Sequence, residues 1–373
     1  MKISLSRPDI TEKEIRYVVD VLKTPNLSLG PKIGEFERKF ADYIGVRHAI
    51  SVNSGTSALH LCINALGIKD GDEVITTPFS FVASANCILF EKAVPVFVDI
   101  DPVTFNIDVS KIKDKITKKT KAILPVHVFG YPCSIDKIMI IARKFNLKVI
   151  EDACEALGAQ FNGRKVGSFG DCGVFGFYPN KQITTGEGGM IVTDNDEIAH
   201  LCKSLRNQGR KHNSLWLEHE RLGFNYRLSD INCALGIAQL ERIKEILNKR
   251  EAVASYYKQK LSSIKQIKLP TFTHDKIKRS WFVYVIQLSK NFSYLQRNRI
   301  IEKLREEGIE CGIYFPAIHL QGFYQKKFGY KKGDFPVTES VSERTIALPF
   351  YNNLKLNELT YIANKLKSLL KER

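Results

Sequence analysis

The sequence predicts an α/β protein, with a large domain built on a mainly parallel, wound sheet and a smaller α+β domain at its C-terminal end. Three observations carry this. Short apolar runs alternate with helical segments through the N-terminal half, the pattern of a parallel sheet with crossover helices. The run at 147–150 (LKVI) ends abruptly in two acids, Glu151 and Asp152, as a buried strand does at its edge. Finally, strands near 281–288 and 309–314, with helices near 295–307 and 356–370, form a separate C-terminal group. A chain of 373 residues, 44% hydrophobic, is long enough for two such domains.

In order along the chain, residues 11–22 have helical spacing, and Thr11 with Glu14 forms a capping box. Residues 24–31 are rich in turn formers and read as a loop. A short strand at 49–52 leads into Asn53-Ser54-Gly55-Thr56-Ser57, which starts an amphipathic helix running through Leu66. Small hydroxyl residues and a glycine at a helix N-terminus can make an anion site from free amides and the helix dipole, although serine and threonine are also ordinary N-caps. Strands follow at 72–76, 94–99 and 122–126, with a helix running to Phe90 and another over 134–145 that returns the chain to the 147–150 strand. His127 stands at a strand end and reads as a structural histidine.

The densest stretch of chemistry lies between Val149 and Val192. An apolar run, Gly173-Val174-Phe175-Gly176-Phe177-Tyr178, passes through Pro179-Asn180 to Lys181. Gly186, Gly188 and Gly189 then allow tight turns before the strand-like 190–193. In open α/β sheets, ligands sit beyond the carboxyl ends of the strands. An acid at one strand end and a lysine just past another can therefore serve a single ligand. If that ligand is pyridoxal phosphate, Lys181 forms the Schiff base and shuttles the proton, and Asp152 pairs with the pyridinium nitrogen. Taken singly, each residue reads equally well as a turn cap or a solvated lysine.

Beyond the glycines, 196–207 reads as a helix and 208–220 as an exposed polar loop, followed by Gly223-Phe224-Asn225-Tyr226-Arg227-Leu228. One helical pattern then runs from Ile231 past Tyr257, and the domain boundary falls on it: residues 1–245 form the large domain and 246–373 the small one.

Together, EDACEALGA and GDCGVFGFYPNKQITTGEGG resemble the sugar nucleotide aminotransferases of the DegT type, pyridoxal-phosphate enzymes of aminotransferase fold type I. The resemblance extends from Pro25 to Tyr351, and the lysine segment is its most specific part. It implies a homodimer with shared active sites, in which an amino acid, glutamate by expectation, donates its amino group to a keto group of a nucleotide-linked sugar. It also implies site residues. Gly55, Thr56 and Ser57 would hold the cofactor phosphate, and Phe81, rather than its neighbour Phe79, would cover the pyridine ring. Asn225 would reach across the dimer interface to the partner's cofactor phosphate, with Arg227 as a further anion contact, and His319 would contact substrate. Two positions depart from the family pattern: Gly176 stands where a phosphate-binding serine is common, leaving only its backbone to bond, and Glu155 where glutamine or histidine is common. Glu155 either lies beside the cofactor ring or points into a surface salt bridge.

Composition bounds the remaining classes. No apolar run approaches the length of a membrane span, and the N-terminus lacks the apolar core of a signal peptide, so the expectation is a cytoplasmic protein without membrane contact. The eight cysteines are scattered without a CxxC pair, so no metal site is expected. The formal charge of +16 would help attract a phosphate-bearing substrate. It also leaves a basic DNA-binding regulator as an alternative, but no nucleic-acid motif accompanies the charge, and no nucleic-acid partner is expected. A second alternative, a sugar dehydratase on the same scaffold, is disfavoured because dehydrating members of the resembled family carry histidine where this chain has Lys181.

Overall fold

The alternating apolar runs fold into a seven-stranded sheet in this computed structural model, which describes residues 2–211, 217–272 and 276–371. In chain order the strands are β1 (His48–Val52), β2 (Glu73–Thr76), β3 (Val94–Phe97), β4 (Thr120–Ile123) and β5 (Lys148–Asp152), a small hairpin of β6 (Gln160–Phe161) and β7 (Arg164–Lys165), then β8 (Cys172–Gly176) and β9 (Gly189–Thr193). The sheet order is β1-β9-β8-β5-β4-β2-β3. Only β9 runs against its neighbours; β8, β5, β4, β2 and β3 pair in parallel. Strands buried on both faces, such as β9, explain why these runs are continuously apolar instead of alternating.

Helix ends follow local chemistry. The helix Glu12–Leu22 begins at Thr11, whose capping box with Glu14 is complete. Pro31 opens the helix Pro31–Ile44, which Gly45 closes in the left-handed conformation. The helix Gly55–Ala65 is not amphipathic as expected: Ser57 through Ile63 are all buried, because this helix lies inside the main core against β8 and β9.

The C-terminal residues add β10 (Ile267–Lys268), β11 (Ile277–Lys278), β12 (Tyr284–Leu288) and β13 (Thr345–Leu348). β10, β12 and β13 form an antiparallel sheet, while β11 joins the β6–β7 hairpin. Helices Tyr294–Glu306 and Leu356–Lys371 pack with this sheet around a second apolar cluster that includes Tyr257, Trp281, Tyr284 and Leu304.

Two further expectations need correction. The helical pattern from Ile231 onward is two helices, Asp230–Glu241 and Ile243–Leu261, broken at Arg242, which caps the first and pairs with Asp9, Glu14 and Glu245. Residues 309–314 do not form a strand. They bridge first to Ile3, through Ile309, and then to Ala347, through Gly312, so no ladder is sustained. Of the expected loop at 208–220, residues 212–216 lie outside the described residues. No helix among the described residues is long and apolar enough to cross a membrane.

Candidate active site

The two acids that end β5 part company because successive side chains on a strand point to opposite faces. Glu151 turns inward and accepts from the backbone amides of Gly167 (2.9 Å), Phe169 (2.6 Å) and Gly170 (2.8 Å), and it bonds His127 Nε2 at 3.0 Å. It organises a turn. Asp152 faces the other way, into a cavity of about 550 Å³ at the carboxyl end of the sheet. Its carboxylate is fixed by Ser84 Oγ at 2.7 Å and by the backbone amide of Cys154 at 3.1 Å. Ser84 is held in turn by Ser80, at 2.9 Å.

Lys181 enters the same cavity from the end of β8, the parallel neighbour of β5. Its backbone amide closes a turn onto the carbonyl of Tyr178 at 2.9 Å. The ammonium lies 3.9 Å from the centre of the Phe282 ring and 3.8 Å from Glu155 Oε1. Glu155 is buried, and its other oxygen accepts from the amide of Phe129 at 2.8 Å. Burial pushes its carboxyl pKa up to about 7, against the opposing pull of the Lys181 charge and the Phe129 amide. Of the two readings of Glu155, the geometry favours the one inside the site.

The third wall is the first turn of the helix Gly55–Ala65, where Ser54, Gly55 and Thr56 line the cavity. Amides of a first helical turn have no intrahelical partner and favour an anion. Gly55 is required sterically, because a Cβ there would stand 2.9 Å from Cys154 Sγ. Gly176 also lines the cavity, and a Cβ at that position would make only ordinary contact, 3.5 Å from Cys154. Phe81 is 60% exposed on the cavity wall, whereas Phe79 is fully buried in the core, so the aromatic available to a ligand is Phe81.

A buried carboxylate, a lysine, a helix N-terminus and an exposed ring thus share one cavity. The chain matches the DegT/DnrJ/EryC1/StrS aminotransferase family over residues 8–367. It belongs to that family. It is 40% identical to the GDP-perosamine synthase of Caulobacter vibrioides, over 99% of this chain and 98% of that one. Among solved structures, Helicobacter pylori PseC, an aminotransferase of pseudoaminic acid biosynthesis, superposes with a TM-score of 0.94 at 30% identity over all of both chains. Spr1654 of Streptococcus pneumoniae, solved in its PLP form, gives 0.94 at 28% identity, over 100% of this chain and 99% of that one. The fold is that of these aminotransferases, and the family's cofactor is pyridoxal 5′-phosphate.

The residues present in this aminotransferase fit that cofactor. Asp152 offers a fixed carboxylate, Lys181 an amine, and Gly55 and Thr56 a helix N-terminus packed so closely on Cys154 that a Cβ at Gly55 would crowd it. Other candidates stand elsewhere. Ser57 does not reach the cavity wall: its amide is capped by Ser54 Oγ at 3.0 Å and its hydroxyl donates to Asn53 Oδ1 at 2.6 Å. His319 does not reach it either. It is fully buried, bonded through Nε2 to Glu339 at 3.0 Å, and packed on Phe335; Tyr314 and Phe315 of the same segment line the cavity instead. Asn225 is exposed outside the cavity of its own chain, with its carbonyl 3.4 Å from Asn53 Nδ2. Arg227 gives Nη1 to Asn207 Oδ1 at 2.9 Å and Gln208 Oε1 at 2.7 Å.

Sequence reasoning missed Ser84, Phe282 and Tyr314. No local pattern marks Ser84 or Phe282, and Tyr314 opens the 314–321 segment that resembles the family's loop near the substrate, where the resemblance points to His319. Among the described residues no group of three or more histidines, cysteines or acids is arranged to hold a metal ion.

Proposed function

We propose that this aminotransferase moves an amino group from an amino acid, glutamate by preference, to the keto carbon of a nucleotide-linked sugar, and that it works as a homodimer with shared sites. The observation that carries the chemistry is the convergence of Lys181 and Asp152 on one cavity beside the helix N-terminus at Gly55. The substrate class is supported by the likeness to the Caulobacter synthase and to PseC, and by the net charge of +16, which favours a diphosphate-bearing ligand.

Bound pyridoxal phosphate supplies an electron-withdrawing ring that makes loss of a proton from the amine-bearing carbon feasible. The protein's own groups do the rest. Lys181 Nζ is the covalent anchor and the base that takes and returns the proton in each half of a ping-pong cycle. Asp152, held by Ser84 and the Cys154 amide, is the carboxylate that keeps the ring nitrogen protonated. Gly55 and Thr56 would hold the phosphate at the helix N-terminus, Gly176 would offer it a backbone contact, and Phe81 would supply an aromatic face to the ring. Asn225, exposed on the segment tied to Asn53, is the residue offered to the partner's phosphate, with Arg227 beside it. A lysine rather than a histidine at position 181 argues for amino transfer over dehydration.

We also take residues 1–245 as the cofactor-binding domain and 246–373 as the small domain. In support, Ile243 and Ile246 of the helix Ile243–Leu261 belong to a cluster of the large sheet, while Val253, Ala254, Tyr257 and Leu261 belong to the C-terminal cluster. The deciding experiment is a screen of nucleotide-linked ketosugars with glutamate as donor. Turnover of an unlinked ketosugar or of a free keto acid at a comparable rate would overturn the substrate assignment.

A further inference from the structure

Arg250 lies where the helix Ile243–Leu261 passes between the two apolar clusters, and it is spent in an unusual way. Its side chain is 3% exposed, yet no carboxylate among the described residues lies within ion-pair distance of it. At the break that precedes this helix, Arg242 pairs with three carboxylates, from Asp9, Glu14 and Glu245. Arg250 instead donates Nη2 to the backbone carbonyl of Lys181 at 2.8 Å and reaches that of Asn180 at 3.4 Å. Its Cζ stands 5.4 Å from the centre of the Phe350 ring, and its Nε and Nη1 find no protein acceptor among the described residues. Burial pulls its pKa down to about 10.

A buried cation with no carboxylate in direct contact, and only the more distant charge of Asp9 to oppose its burial, costs free energy that a neutral donor would not. What it gains here is geometric. Lys181 belongs to neither strand nor helix; it sits in the irregular segment between Gly176 and Gly189, so no ladder fixes its backbone. Its amide is held by Tyr178, and its carbonyl is held by Arg250. Buried carbonyls outside regular structure need such partners. With both ends of the Lys181 peptide anchored, the side chain leaves the backbone in one direction, toward Glu155 and the cavity.

We propose that Arg250 is a positioning residue for Lys181: its guanidinium clamps the carbonyls of Asn180 and Lys181 and so aims the lysine amine into the cavity from a helix shared by both apolar clusters. The inference rests on Lys181 being the cofactor-bearing lysine, but its first test does not need the cofactor.

Cofactor-free protein is pulsed with acetic anhydride, and acetylation of Lys181 is read by peptide mass spectrometry against exposed Lys69 as the internal reference. Arg250→Met should change the Lys181 rate by at least about threefold with Lys69 unmoved, and should lower kcat of the glutamate half-reaction about tenfold with KM within about twofold. Arg250→Lys, which keeps one donor, should fall between Met and wild type in both readings. If Arg250→Met does not fold, Arg250→Gln, with a neutral donor, replaces it and carries the same expectation in smaller measure. Unchanged Lys181 labelling and unchanged kcat in a folded variant would overturn the clamp. A Lys181→Ala protein that still transaminates would overturn the underlying reading of Lys181, and the labelling result would stand apart from it.

Discussion

Lys181 Nζ and Glu155 Oε1 stand 3.8 Å apart across a cavity wall that leaves the glutamate side chain only 5% exposed. This pair sets the electrostatics of the site. Burial raises the glutamic acid toward neutrality, and the lysine charge resists that rise without cancelling it.

Stability should therefore depend on pH through Glu155. The folded protein holds this proton up to a pH of about 7 where the ordinary value is 4.5, so across that window it binds more protons than the unfolded chain. Stability then falls as pH rises through the window. Glu155→Gln removes the effect: cofactor-free variant and wild type should melt alike at low pH and diverge upward, with the variant ahead by roughly 3 kcal/mol at most above the window. In the loaded enzyme, the same change should shift the pH at which the visible absorption titrates. Parallel melting curves at every pH, with an unmoved titration, would place the carboxylate outside the site's electrostatics.

Lys181→Ala should abolish the cofactor adduct that borohydride fixes, and the purified wild-type protein should be yellow and bleach when glutamate is added. Loss of general-base catalysis alone costs on the order of a hundredfold to ten-thousandfold in rate. An adduct mapped to another lysine would contradict the assignment.

The glycines at the cavity wall separate steric need from missing chemistry. Gly55→Ala sets a Cβ 2.9 Å from Cys154 Sγ and should weaken cofactor binding, with Cys154→Ala in the same chain restoring it. Gly176→Ser meets only ordinary contacts at 3.5 Å, and its added hydroxyl should tighten cofactor binding about tenfold, the worth of one hydrogen bond to a charged group. Equal losses in both variants would refute this distinction. Equilibrium dialysis of the cofactor reads each case.

Shared sites can be tested by mixing subunits. In a hybrid of Lys181→Ala with Asn225→Ala, the subunit that retains Lys181 receives Asn225 from its partner, so one site carries neither lesion. Activity should exceed the sum of the two parents once exchange has been shown by mass-tagged subunits. Exchange without recovery would sink the shared-site reading.

The sequence by itself determined the strand–helix alternation, the capping box at Thr11 and Glu14, and the lysine segment ending at Gly189, because each is written in residues adjacent on the chain. It also marked Asp152, since a strand that stops in two acids has only two faces to give them. Only the tertiary structure decided which acid faces the cavity, with Glu151 bound to three backbone amides of the following turn and Asp152 held by a serine 68 residues away. It likewise removed Ser57 and His319 from the cavity: Ser57 turns back onto Asn53 and Ser54 at its own helix start, and His319 is buried against Glu339, twenty residues further on. Glu155 and Arg250 take their character from burial. The free energy of a charge depends on what surrounds it in space, and that environment is assembled from distant parts of the chain.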